Sequence, residues 1–178
     1  MFERWDNFYL LIGGAAGSLI GLLFIVATLN RGRRDADSAL RGASVFMTPI
    51  VQHLAVVLAI SALAAAPDIP VETAALIVGA AALFDLVSAG QVIWHLQIAK
   101  SLQATHWSDV WWYGIGAFLA DLVLVGSAAA AWLVSPVCAA RGIAVSLVLI
   151  LLIAIRNAWD LVTWITAKGP GLGSEDEA

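Results

Sequence analysis

The sequence predicts an all-α integral membrane protein, a bundle of five transmembrane helices, from its composition and the lengths of its apolar runs. Hydrophobic residues make up 61% of the chain and charged residues 12%, and the mean hydropathy is +0.90. This leaves too little polar surface to cover a water-soluble globule. Apolar runs of about 20 residues, the length that crosses a bilayer core, occupy nearly the whole sequence. We therefore predict one domain over residues 1–168, with helices at about residues 8–30, 43–66, 73–99, 109–134 and 142–166.

The first predicted helix has a face of small residues. Gly13, Gly17 and Gly21 recur at four-residue spacing. Because lipid offers no hydrophobic drive for helices to associate, such faces are typical of close backbone contact. We expect this face to pack against another helix, either within the chain or across the subunit interface of a homo-oligomer.

The second and third predicted helices carry polar side chains into apolar runs. Pro49 precedes His53 by one turn and is expected to kink the helix. The kink is either a packing feature or part of a wet cavity with His53 in its wall. On the third helix, Asp85, Ser88, Gln91 and His95 fall within about one third of the circumference. Such a stripe is typical of a polar bundle core or of one wall of a pathway.

The fourth helix begins at a boundary marked by aromatic residues, and a polar tail follows the fifth. Four aromatic residues cluster here: Trp107, Trp111, Trp112 and Tyr113. Because Trp and Tyr rings concentrate where lipid headgroups meet hydrocarbon, the cluster predicts a membrane boundary. Residues 135–141 are predicted to form the turn before the last helix. Residues 169–178, rich in glycine and acids, are predicted to be disordered.

Charge in the connecting segments predicts the orientation. Five spans place the termini on opposite sides of the membrane. One side carries six Lys or Arg residues, four of them between residues 31 and 41 with Lys100 and Lys168, and the other carries Arg4 and Arg141. Because basic loops are retained in the cytoplasm, we expect the N-terminus outside and the C-terminus inside.

Buried charge supplies the candidate functional residues. Counting from the helix ends places His53, Asp85, Asp121 and Arg156 roughly 15 Å deep, near one plane. Burying an arginine at this depth costs several kcal/mol of free energy unless an opposite charge pairs with it. We expect Asp121 or Asp85 to pair with it, and Asp160, one turn further on, is the remaining candidate. Since arginine stays charged, a carboxylate left over must take up a proton or hold a cation.

The two ends of the chain carry a resemblance. Residues 13–30, from Gly13-Gly-Ala-Ala-Gly to Asn30, resemble the first helix of a group of small uncharacterised bacterial multi-pass inner-membrane proteins. Asn157-Ala158-Trp159 resembles the closing helix of that group. The resemblance implies the same architecture and a bacterial inner-membrane location, and it implies no site. The acid at Asp160 departs from the group, where this position is usually apolar.

These observations favour an oligomeric protein that conducts or senses protons or small ions. The set of candidate residues is His53, Asp85, Ser88, Gln91, His95, Asp121, Arg156 and Asp160. The competing interpretation is a non-transporting accessory subunit of a larger membrane complex, in which the charges only specify helix packing. The expected partners are the lipid bilayer, further copies of the chain and possible larger membrane proteins, with no nucleic acid.

Enzymatic and metal-dependent functions have less support in the sequence. His53, His95 and Asp85 could be considered as metal ligands, but helical rise places His95 about 15 Å from Asp85. No His-containing metal motif such as HExxH is present. Ser88, three residues after Asp85, is weak support for a hydrolase. We therefore expect no metal or cofactor, and the sequence favours a non-enzymatic role without deciding it.

Overall fold

The computed structural model describes residues 2, 5–30, 36–100 and 110–167, and regular structure within these ranges is entirely helical. Five helices are long and apolar enough to cross a membrane, as predicted. A π-helical segment, Val110–Ile115, leads directly into the fourth of them. The helices are α1 (Asp6–Asn30), α2 (Ala36–Ala65), α3 (Val71–Lys100), α4 (Gly116–Leu133) and α5 (Pro136–Ala167).

Two helices begin earlier than predicted. α2 starts at Ala36 rather than near residue 43, and α5 starts at Pro136 rather than near residue 142. The prediction of a turn over residues 135–141 was therefore wrong. Proline suits the first helical position, where its missing N–H has no intrahelical partner to lose. Ser135 caps this start, since its Oγ accepts a hydrogen bond from the Cys138 N–H.

Some predicted features lie outside the described part of the chain. These are the arginines at 31–34, most of the aromatic-rich connection at 101–109 and the acidic tail. The side chain of His95 is also outside the description, although its backbone belongs to α3.

Four of the helices form a ring, and α1 lies outside it. α2 packs on α3, α3 on α4, α4 on α5 and α5 on α2, while α1 packs on α2 and α5. Contacts of glycines with neighbouring helices show that α3 and α4 run antiparallel, and that α4 and α5 do too. Gly79 faces Ala128 and Gly114 faces Ile93, and Gly142 lies against Ser127. Consequently α2 and α4 lie on opposite sides of the ring and face each other across its centre.

The distribution of polarity is the reverse of that in a soluble protein. Leu133 is 82% exposed and Leu11 70%, whereas Asp85 and Asp121 are fully buried. An outer surface this apolar would drive aggregation in water but suits hydrocarbon. Five helices able to span a membrane, an apolar outer surface and polar groups inside the bundle suggest a multi-pass membrane protein.

The glycine face of α1 makes one close contact within the chain. A Cβ atom added to Gly13 would lie 2.9 Å from the Cβ of Ser61 on α2, closer than real Cβ atoms approach. At Gly17 the nearest atom would be a Leu58 methyl carbon at 3.9 Å, an ordinary contact. Gly21 faces open space in the described chain. The predicted contact face is therefore concentrated at Gly13, and any role in oligomer formation remains a prediction.

We predict that Gly13→Ala destabilises the bundle and that Gly21→Ala does not. The methyl group at Gly13 collides with a short side chain attached directly to α2, so a backbone must shift, at about 1–3 kcal/mol. At Gly21 the same change meets no atom and favours the helix slightly. Thermal unfolding of both purified variants in the same detergent measures the difference. Equal stability of the two variants would contradict the close approach of α1 and α2.

Candidate functional site

Three helices bring His53, Asp85 and Asp121 together at the centre of the ring. His53 is on α2, Asp85 on α3 and Asp121 on α4, and their exposed fractions are 6%, 0% and 0%. The Nε2 atom of His53 lies 3.5 Å from Oδ2 of Asp121 and 4.0 Å from Oδ2 of Asp85. We call these three residues the buried triad. Three of the four residues predicted to share a plane therefore do meet.

The backbone of α2 orients the imidazole ring. Nδ1 of His53 lies 2.6 Å from the carbonyl oxygen of Pro49, one turn earlier. Because a carbonyl can only accept a hydrogen bond, Nδ1 must carry the hydrogen and donate it. Nε2 then points at the carboxylates, with a lone pair if the ring is neutral and with a second N–H if it is charged. The turn around Pro49 thus fixes which nitrogen serves the triad.

The two carboxylates are incompletely satisfied. Oδ1 of Asp85 accepts a hydrogen bond of 3.0 Å from Nε2 of Gln52. Oδ2 of Asp85 and both oxygens of Asp121 have no hydrogen-bond donor within the described residues. Buried polar atoms are almost always hydrogen-bonded, and the 3.5 Å separation between Asp121 and His53 is long for such a bond. The Oδ2 atoms of both aspartates lie within 4.0 Å of Nε2 of His53.

The charges of the buried triad do not balance. Two ionised carboxylates beside a neutral imidazole carry a charge of −2, and an imidazolium reduces it to −1. An uncompensated charge in a low-dielectric interior is expensive, and buried charges are paired or coordinate metals. Additional positive charge, from a proton or a bound cation, would therefore stabilise the triad.

Arg156 does not supply that charge. Its guanidinium forms an ion pair with Asp160, one turn along α5, and lies 4.9 Å from the centre of the Trp112 ring. The two ion-paired side chains are 38% and 37% exposed. The prediction that Arg156 pairs with Asp121 or Asp85 was wrong.

The reason is depth along the bundle axis. Gly116 on α4 lies against Ile153 on α5, and these helices are antiparallel. Arg156 lies about one helical turn beyond Ile153, towards the end of the bundle that carries Trp111 and Trp112. Asp121 lies more than one turn beyond Gly116, in the opposite direction along the bundle axis. The separation along the axis is about eight residues, or roughly 12 Å. Arg156 thus lies beside Trp112, one of the aromatic residues predicted to mark the membrane boundary, where long charged side chains can reach water or headgroups.

The predicted polar stripe on α3 does not line the triad. Ser88 donates its hydroxyl hydrogen to the carbonyl of Phe84 on its own helix, and Gln91 is exposed. Six residues of α-helix rotate Gln91 about 120° away from Asp85, which turns it to the outer surface. Among the described side chains of the stripe, only Asp85 belongs to the triad.

Two polar residues near the triad were not among the candidates. Gln52 holds Asp85, and its position directly before His53 was the available signal. Asn157 is buried and donates from Nδ2 to the carbonyl oxygen of Trp112 at 3.3 Å, which ties α5 to the π-helical segment. A π-helical turn leaves carbonyls without their usual α-helical donors, and no sequence motif reveals such a turn.

A small cavity of about 10 Å³ lies beside His53 and is also lined by Ala117 and Asn157. A space of this size is at the lower limit for one water molecule. Neither carboxylate of the triad lines it. The cavity beside His53 therefore has room for about one water at most and does not extend to the unpaired carboxylate oxygens.

Comparison with protein families, curated proteins and solved structures finds no match for this chain.

We predict that His53→Leu destabilises the protein far more than Arg156→Leu. Removing the imidazole leaves two buried carboxylates without their partner, which costs about 3–5 kcal/mol. Removing the half-exposed arginine costs no more than about 1 kcal/mol. Chemical unfolding in one detergent gives both free energies. A larger loss for Arg156→Leu would show that Arg156, not His53, holds the buried carboxylates.

Proposed function

We propose that this protein binds a small cation, a proton or a metal ion, at the buried triad and conducts or senses it across the membrane. One observation carries the proposal: two fully buried carboxylates face a single imidazole, with no other cationic side chain among the described residues near enough to balance them. A packing role alone would favour a neutral, fully hydrogen-bonded set. The excess negative charge instead favours a site that gains and loses positive charge.

The enclosure of the triad favours access through helix movement rather than through an open pore. The three side chains belong to three different helices, and the adjoining cavity holds about one water at most. We expect a metal ion to enter when α2, α3 or α4 shifts. Such a shift would change the distances from His53 to both carboxylates, so occupancy and conformation would be coupled.

The small size of the cavity also supports a second candidate, a non-transporting accessory subunit of a larger membrane complex. In addition, α1 and α5 enclose an outward-opening groove of about 300 Å³ with a wholly apolar lining. It can take a lipid chain or an apolar helix of a partner. The groove is lined by Leu19, Leu22, Leu23, Val26, Ile155, Ala158, Trp159 and Val162.

We propose a bacterial inner-membrane location, with the N-terminus outside, and assembly into a homo-oligomer. The resemblance of the first and last helices supports the location. The six-to-two distribution of Lys and Arg supports the orientation. Arg156 adds to it, because its place in the C-terminal half of α5 is towards the more basic side.

Cys138 provides a test of the orientation. It is exposed in the first turn of α5, on the side that we propose faces out. We expect a membrane-impermeant thiol reagent to label it in intact spheroplasts, and Cys138→Ser to abolish the signal. Labelling that requires lysis would reverse the orientation.

Ion flux tests conduction at the triad. We expect wild-type protein in liposomes to dissipate a proton or cation gradient, and Asp121→Asn to reduce the rate towards that of empty vesicles. Asp160→Asn is the matched control, since it removes an acid on a spanning helix outside the triad. If the wild type moves neither protons nor mono- or divalent cations, conduction is excluded and the accessory subunit becomes the better interpretation.

A further inference from the structure

We infer that the buried triad is a binding site for a divalent transition-metal ion, and that its donor set fits Zn²⁺ best. The inference rests on the proposed function, because it names the cation that the triad binds. His53, Asp85 and Asp121 each offer one ligand atom, and these atoms all lie within 4.8 Å of one another. All three residues are buried. Exposed acidic clusters are common without a metal, but this cluster contains an imidazole and is shielded from water.

The distances are close to those of a zinc site. With Zn–N and Zn–O bonds of about 2.0–2.2 Å, two ligands of a tetrahedral ion are about 3.4 Å apart. Nε2 of His53 already lies 3.5 Å from Oδ2 of Asp121 and 4.0 Å from Oδ2 of Asp85. The three ligand atoms lie within 4.8 Å of one another, so binding one ion requires the aspartate side chains to move inwards.

The groups around the triad already orient its ligands. A metal-binding histidine usually donates its other ring N–H to a carbonyl or carboxylate. Nδ1 of His53 makes this bond to Pro49, which leaves Nε2 for the ion. Gln52 holds Oδ1 of Asp85 and leaves Oδ2 facing His53. Asp121 is fully buried, neither of its oxygens has a hydrogen-bond donor within the described residues, and its Oδ2 lies 3.5 Å from Nε2 of His53.

Charge and coordination number select the kind of ion. A divalent ion with a neutral imidazole and two carboxylates gives a net charge of zero, whereas a monovalent ion leaves −1. Ca²⁺ needs six to eight oxygen ligands and Mg²⁺ keeps several waters. The three buried ligand atoms are too few for either shell, and the neighbouring cavity beside His53 holds about one water at most. Three protein ligands, one of them nitrogen, suit four-coordinate Zn²⁺, which often takes a water as its fourth ligand.

The test measures metal binding by the intact protein in detergent. After treatment with a chelator and dialysis against Zn²⁺, we expect about one equivalent of zinc per chain by elemental analysis. Asp121→Asn and His53→Gln should abolish stoichiometric binding. Gln52→Leu, which removes only the support of Asp85, should weaken it about 10- to 100-fold. Asp160→Asn should bind as the wild type does.

Co²⁺ provides a readout that needs no variant. We expect Co²⁺ to give the visible absorption of a four-coordinate nitrogen–oxygen site in the wild type, and one equivalent of Zn²⁺ to abolish it. Zn²⁺ should also raise the thermal midpoint of the wild type more than that of Asp121→Asn, because only the folded wild type binds the ion.

The outcomes separate the metal site from the broader function. Absence of stoichiometric Zn²⁺ and Co²⁺ binding by folded wild type overturns the metal site. Equal weakening by Asp160→Asn and Asp121→Asn overturns it as well. If the wild type binds no metal yet carries a triad-dependent proton flux in chelator, the proposed function stands with protons as its cation. If both binding and flux are absent, the metal site and conduction both fall, and the accessory subunit becomes the better interpretation.

Discussion

Burial of two carboxylates beside one imidazole is the constraint on which the rest of the structure depends. Away from water, neither carboxylate can be left without a partner, so α2, α3 and α4 must converge on one point. His53 reaches across the ring to Asp121, and the carbonyl of Pro49 holds its orientation. Gln52 binds one oxygen of Asp85. α5 closes the ring with buried apolar side chains such as Leu147 and Ile150, which add no compensating charge.

The chain treats its charges in two ways. Those of the triad are enclosed and mutually dependent, whereas the ion pair of Arg156 and Asp160 lies half-exposed beside Trp112. The difference follows from depth, because Arg156 lies about 12 Å along the bundle axis from the level of Asp121, and its long side chain can reach water or headgroups. The short side chain of Asp121 is fully buried and cannot. Hence the residue that is most conspicuous in the sequence is not the one that organises the core.

Close helix approach keeps the triad enclosed. Because Gly142 has no side chain, α5 can approach α4 until Gly142 contacts Ser127. Gly13 likewise allows α1 to approach Ser61 on α2. Between membrane helices, packing of this kind replaces the hydrophobic drive that acts in water. It leaves room for about one water at most near His53, so we expect a metal ion to exchange when the helices move.

The sequence by itself determined the number of spans, their approximate positions and three of the residues in the core, because these depend on local composition and on the cost of charge in an apolar run. It even contained the Ser135–Pro136 start of α5, a local signal that the prediction overlooked. Only the tertiary structure decided which charges meet. Pairing depends on the relative depth and rotation of separate helices. Arg156 lies about two helical turns from the plane of Asp121, at the level of Trp112. Rotation likewise turned Asp85 inwards and Gln91 outwards on one helix. Both quantities arise from packing between distant segments, which composition and spacing within one segment do not encode.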